Sequence, residues 1–235
     1  MISAQLARAG YDLAIHGSHH VDLDPALQAV LAETGAVWQG FVADFADPTH
    51  APGLIDRIAE SFGRAPDLLV NSAAIFGQDR LDNVTAADLS AHYAVNLMAP
   101  VLLTQAFAAL GGEGGGDRVV INILDQRLSQ PHGDQLYYTL SKQALAGFTR
   151  IAARTLAPAV RVNGVAPGLT IATADYDPAQ LERLADMMPL ERLPAADEIA
   201  QAVLYLARAR AVTGQVIQVD AGAHMISFER DFMHL

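Results

Sequence analysis

A chain of 235 residues suits one large domain, and with 51% hydrophobic and 17% charged side chains it fills a core and is not disordered. Its formal net charge of −11, from 15 basic and 26 acidic side chains, argues against a duplex nucleic-acid surface, which needs a basic footprint. Cysteine is absent, which excludes disulfides and thiolate metal sites; with no span of about 20 apolar residues and no secretion leader, a cytoplasmic protein without a membrane partner is expected.

Short apolar runs alternate with amphipathic stretches along the chain. Residues 1–9 read as a helix stopped by Gly10, and "DLAIHG" (12–17) follows as a strand. Next come a helix over 25–33, a strand at "VWQGFVA" (37–43), a helix over 49–62 and a strand at "DLLVNSA" (67–73). One helix is expected across 85–110, and "GGEGGGD" (111–117) makes a flexible loop before the strand "DRVVINIL" (117–124). A helix over 134–157 leads to the strand "VRVNGVAP" (160–167). Residues 170–192, with Pro178 and Pro189, interrupt the alternation and read as a substrate lobe within a single domain spanning 1–235. A helix over 196–209 and the strand "GQVIQVD" (214–220) complete the order. The amphipathic tail "HMISFERDFMHL" is expected to cover the substrate pocket or a neighbouring subunit. Strands apolar on both faces, each followed by a helix, specify an α/β fold: a doubly wound, Rossmann-type parallel sheet with helices on both sides.

Ligands in such sheets bind beyond the carboxyl ends of the strands. The residues expected there are 16–20, Asp44, 71–76, Leu124, Asp125 and 167–170. The following helix contains "YYTLSK", whose Tyr138 and Lys142 are four apart and share a helical face. A phenol is a poor acid or base at neutral pH, and an ammonium group beside it is expected to lower its pKa. Alone, such a pair is ordinary helix surface; its place between the strand "VVINIL" and the later "VAPG" gives it weight. His16, His19 and His20 have no carboxylate or cysteine at ligand spacing, so no metal site is expected.

Taken together, these segments resemble the short-chain dehydrogenase/reductase family over essentially the whole chain. "NSAA" (71–74) stands where that family has its Asn-Asn-Ala-Gly stretch, and "VNLMAP" (95–100) is similar to the helix bearing its structural-catalytic Asn, here Asn96. "YYTLSK" supplies Tyr138 and Lys142, "VNGVAPG" (162–168) resembles the Pro-Gly segment beside the nicotinamide, and Asp44 takes the adenine-contacting place. Cofactor contacts from Ser18, His19, Asp44, Asn71, Ala73, Pro167, Gly168 and Thr170 are implied. Where the family normally has Ser, thirteen residues before the Tyr, this chain has Asp125, which resembles the pteridine reductase branch. A carboxyl beside a phenol can hold or pass a proton, and a carboxylate accepts bonds from pterin N–H groups. Phe76 falls where that branch places the aromatic that stacks on the pterin; its plainer reading is a loop aromatic covering the sheet end. No Asp or Glu occurs between Leu13 and Val21, so NADPH is expected, with Ser18 and His19 toward its 2′-phosphate.

The resemblance implies an NADPH-dependent reductase of a dihydropterin or folate-like ring, with Asp125, Tyr138, Lys142 and Asn96 as the catalytic set. Two other readings stay open: a carbonyl (oxoacyl or sugar) reductase of the same family, and a non-catalytic homologue acting as an oligomer partner. The wide apolar helix faces, including Leu97, Met98, Val101 and Leu102, together with family habit, imply a homotetramer. The opening "ISAQLARAGYDLAIHG" resembles the family's first helix and second strand. The first strand and its glycine-rich turn are expected to precede Met1 or to accompany the chain without fixed structure. Without them, two apolar strand edges should face a gap.

Overall fold

The computed structural model describes residues 1–111, 117–171 and 176–235. Most of the expected "GGEGGGD" loop, and residues 172–175 of the expected lobe, lie outside the described residues. The chain runs α1 (Ile2–Arg8), β1 (Leu13–Gly17), α2 (Pro25–Thr34), β2 (Trp38–Val42), α3 (His50–Phe62), β3 (Leu68–Asn71), α4 (Ala86–Tyr93) and α5 (Ala99–Ala109). It continues with β4 (Arg118–Ile123), α6 (Leu136–Leu156), β5 (Val160–Pro167), α7 (Pro178–Met187), α8 (Ala196–Arg208) and β6 (Val216–Val219). Helix ends follow local chemistry. At α2, for example, the Asp24 carboxylate accepts from Ala26 N, Pro25 occupies the first turn, and Gly35 closes the helix at φ 67°, a left-handed value that favours glycine.

Every strand pairing is parallel, as both-face apolar strands require. One feature departs from a continuous doubly wound sheet. β3, β4, β5 and β6 form a four-stranded sheet, β1 and β2 form a separate ribbon, and among the described residues no ladder joins β1 to β3. The gap expected beside the strand at 12–17 is therefore present. Helices α1, α2 and α8 cover one side of this assembly, and α3, α5 and α6 cover the other. The densest packing surrounds β4 and β5, where Val120, Ile121, Val162 and Val165 are fully buried.

The single helix expected over 85–110 is corrected by the structure. Residues 94–98 widen into a π-helical turn between α4 and α5, in which Ala99 N donates to Ala94 O. Pro100 supplies a physical reason, because it has no N–H to give to the Asn96 carbonyl four residues back. Such bulges re-aim side chains, and here the turn carries Asn96. The 170–192 lobe contains α7, started by the Asp177 side chain accepting from Gln180 N, with Pro178 in its first turn. No helix among the described residues is long and apolar enough to cross a membrane.

Candidate active site

The site grows from the carboxyl end of β4. Asp125 follows that strand and caps a short 3-10 turn, its Oδ1 accepting from Arg127 N at 2.9 Å. That bond fixes the carboxylate and leaves Oδ2 to accept from the Tyr138 hydroxyl at 3.0 Å. Tyr138 comes from the first turn of α6. This helix begins where it does because Asp79 Oδ2 accepts from Tyr137 N at 3.1 Å, placing an acid on the positive helix end. One turn on, Lys142 Nζ donates to Ile123 O at 2.8 Å, and it lies 5.6 Å from the centre of the Tyr138 ring.

Asn96 reaches the same spot from the π turn. It is fully buried, accepts from Ile75 N at 2.8 Å, and donates to Ile75 O at 2.9 Å and Ser141 Oγ at 3.0 Å. One side chain thus ties the loop after β3 to α6. Phe76, next in that loop, meets the Tyr138 ring edge-on at 4.8 Å and remains 49% exposed. A further polar chain runs beneath: Asn71 Nδ2 donates to Asn122 Oδ1 and Asn122 Nδ2 to Thr149 Oγ1, at 2.8 and 2.9 Å.

The electrostatics correct one expectation. Burial, reinforced by Asp125, pushes the Tyr138 phenol well above its ordinary value, while the Arg127 guanidinium pulls the other way. Lys142 does not set the direction; its own pKa is lowered to about 8 by burial, against the pull of Asp125. Tyr138 therefore holds its proton at neutral pH and donates it toward the carboxylate.

A cleft of about 1350 Å³ opens along the strand ends and continues between β1 and β3, which makes it larger than an ordinary small-molecule pocket. Asn71, Ala73, Phe76, Asp125, Pro167, Gly168 and Thr170 line it, so seven of the predicted positions share one wall. Tyr138, Lys142 and Asn96 sit behind that wall, with Phe76 and Asp125 in front of the phenol. Ser18, His19 and Asp44 lie outside the lining but beside each other: His19 Nδ1 is 3.0 Å from Ser18 Oγ, and His19 Nε2 is 3.9 Å from Asp44 Oδ2. His16 serves structure, its Nε2 donating to Ala43 O at 2.7 Å while the ring stacks on Phe45.

Two participants escaped the sequence reading. Arg127 lines the cleft, and its guanidinium carbon lies 5.3 Å from the Phe76 ring centre and 5.4 Å from that of Tyr138. Asp231 in the carboxyl-terminal tail is buried and accepts a hydrogen bond from Arg127 Nη2. The tail, expected over a pocket or another subunit, folds against its own chain: Arg230 Nε donates to Asp134 at 3.2 Å, and Gln180 Nε2 to Phe232 O at 3.0 Å. Phe232 and Met233 reach the cleft wall. The available signal was a charged pair immediately after a strand end, "DQR".

The family model described as "Enoyl-(Acyl carrier protein) reductase" matches residues 1–224. This chain belongs to the short-chain dehydrogenase/reductase family of oxidoreductases. A solved structure of FolM alternative dihydrofolate reductase 1 from Brucella canis, complexed with NADP, superposes with a TM-score of 0.87 at 34% identity, covering 97% of this chain and 90% of that one. Pteridine reductase 1 of Leishmania tarentolae is 33% identical over 74% of this chain and 68% of its own. A 3alpha-hydroxysteroid dehydrogenase of Mediterraneibacter gnavus is 32% identical over 91% of this chain and 87% of its own.

Proposed function

We propose that the protein is an NADPH-dependent reductase of a dihydropterin or dihydrofolate-like ring. The observation that carries this reading is the 3.0 Å hydrogen bond from the Tyr138 hydroxyl to Asp125 at the cleft wall. A family member that reduces simple carbonyls needs a neutral donor for one oxygen, whereas a carboxylate beside the phenol suits a heterocycle with N–H groups. The FolM and pteridine reductase relatives support the same class, and the steroid dehydrogenase relative keeps the carbonyl alternative in view.

The residues present fit the nicotinamide and adenine ends of the dinucleotide. Asn71 Oδ1 is a buried acceptor without a partner at the cleft wall, and Pro167, Gly168 and Thr170 present a short backbone segment at the end of β5. At the far end Ser18 and His19 offer donors, no acid stands between Leu13 and Val21 to repel a 2′-phosphate, and Asp44 is available to the adenine. When bound, NADPH supplies a hydride to carbon of a ring C=N bond. Tyr138, with Asp125, delivers the proton that the ring nitrogen takes up. Phe76 offers its exposed face to the flat ring, Lys142 would hold the nucleotide sugar, and Asn96 holds the loop that carries Phe76.

The test is a substrate panel followed by NADPH consumption: dihydropterins, dihydrofolate, an oxoacyl thioester and a ketose. Pterin or folate turnover with no carbonyl turnover is expected. Carbonyl turnover alone would replace this reading with that of a carbonyl reductase, and the absence of any NADPH-induced thermal shift would point to a non-catalytic homologue.

A further inference from the structure

Arg127 is a cation at the cleft wall that the reduction chemistry leaves unused. Its side chain is 8% exposed, and its Nε lies 3.8 Å from Asp125 Oδ1, too far for a hydrogen bond. Nη2 is committed to Asp231 of the tail; Nε and Nη1 are buried and have no hydrogen-bond partner among the described residues. Buried guanidinium donors without acceptors are costly, and a native fold that keeps them has a use for them. The group sits over the rings of Phe76 and Tyr138, so its free edge belongs to the same small space as the phenol and the carboxylate.

We propose that Arg127, held by Asp231, reads an acceptor of the substrate: the oxo oxygen of a 4-oxo pterin. This rests on the pterin reading and deepens it. Asp125 accepts and Arg127 donates, side by side, so together they suit a flat ring that shows N–H donors and an oxo acceptor on neighbouring edges. Asp231 is a positioning residue, since it touches Arg127 and not the cleft chemistry. The carboxyl-terminal tail thereby becomes part of substrate selection, across a sequence separation of 104 residues.

The experiment compares the holoprotein with Arg127→Met and Arg127→Lys. Equilibrium affinity is measured for a 4-oxo pterin and for a 2,4-diamino pteridine, whose 4-amino group is a donor, with KM for NADPH recorded in parallel. Arg127→Met is expected to lose roughly 10- to 100-fold in affinity for the 4-oxo ring and to leave the diamino ring within about twofold. Arg127→Lys keeps a charge beside Asp231, protecting the fold, and loses the fork; an intermediate loss confined to the 4-oxo ring is expected. Asp231→Asn should reproduce the selectivity change without altering KM for NADPH. Equal losses for both rings, or none, overturn the role of Arg127 while leaving pterin reduction intact. Selective loss in a protein that binds but does not reduce pterins would sustain Arg127 and remove the proposed function. A wild-type protein that binds neither ring would end both.

Discussion

The β1–β2 ribbon and the four-stranded sheet are built from similar apolar sequence and end up in unlike states. In β4 and β5 nearly every residue is buried, and the strands are laced to α6 by Asn122, Thr149 and Lys142. In β2 four of five residues are exposed, including Trp38 at 41% and Val42 at 43%, and among the described residues β2 is the only strand that pairs with β1. The contrast assigns the parts. A fully packed sheet holds the acid, the phenol and the amine at fixed distances, while the ends of the ribbon carry the exposed Ser18 and His19 and the half-buried Asp44. Reaction geometry tolerates errors of a fraction of an ångström, and packing density is what supplies that accuracy.

The largest effect should come from the packed side. Asp125→Ser removes the acceptor of the Tyr138 hydrogen bond, and pterin reduction is expected to fall roughly 10- to 100-fold with NADPH affinity largely retained. Unchanged turnover in steady-state assays would discard the carboxylate's role. Asn96→Ala leaves the Ile75 N–H and C=O without their partner, so chemical denaturation should show a loss of about 2–3 kcal/mol together with looser Phe76 packing. A loss below about 0.5 kcal/mol would mean the π turn does not brace the loop.

Lys142 gives a pH signature from the same side. Its folded pKa is about 8, below its unfolded value, so folding disfavours the charged form. Between about pH 8 and the unfolded lysine value near 10.4 the unfolded chain binds the extra proton, and stability from this group rises with pH. Across that window the urea midpoint of the parent should rise with pH relative to that of Lys142→Met; parallel curves would refute the shift. The smallest effect belongs to the ribbon. Trp38→Thr should change stability by no more than about 0.5 kcal/mol and leave kcat untouched, and a core-sized loss would show that β2 is packed more firmly than its exposure indicates.

Much of this contrast was legible in residue order. "RVVINI" and "VRVNGVAP" announce buried parallel strands because apolar, mostly β-branched residues dominate both, and β5 occupies 160–167 as read. The pairing of Asp125 with Tyr138 was legible through the family resemblance, which places a polar partner thirteen residues before the Tyr; a strand end and a helix start convert that spacing into contact. The break at 94–98 was not readable, since Ala-Val-Asn-Leu-Met suits a helix and only Pro100 hints at the wider turn. Arg127 and Asp231 were missed for a different reason: "DQR" shows a charged pair at a strand end, but nothing local reveals that the arginine is buried when its partner lies in the distant tail. The rise of the Tyr138 pKa likewise depends on burial, which sequence spacing does not report.

The most direct measurement is a crystal structure with NADPH and a dihydropterin bound together. The pterin should lie flat between Phe76 and the nicotinamide, with the Asp125 carboxylate and the Tyr138 hydroxyl about 2.7–3.2 Å from its ring nitrogens or their substituents. A pterin bound elsewhere, or an Asp125 carboxylate turned away from Tyr138 in that complex, would contradict the account.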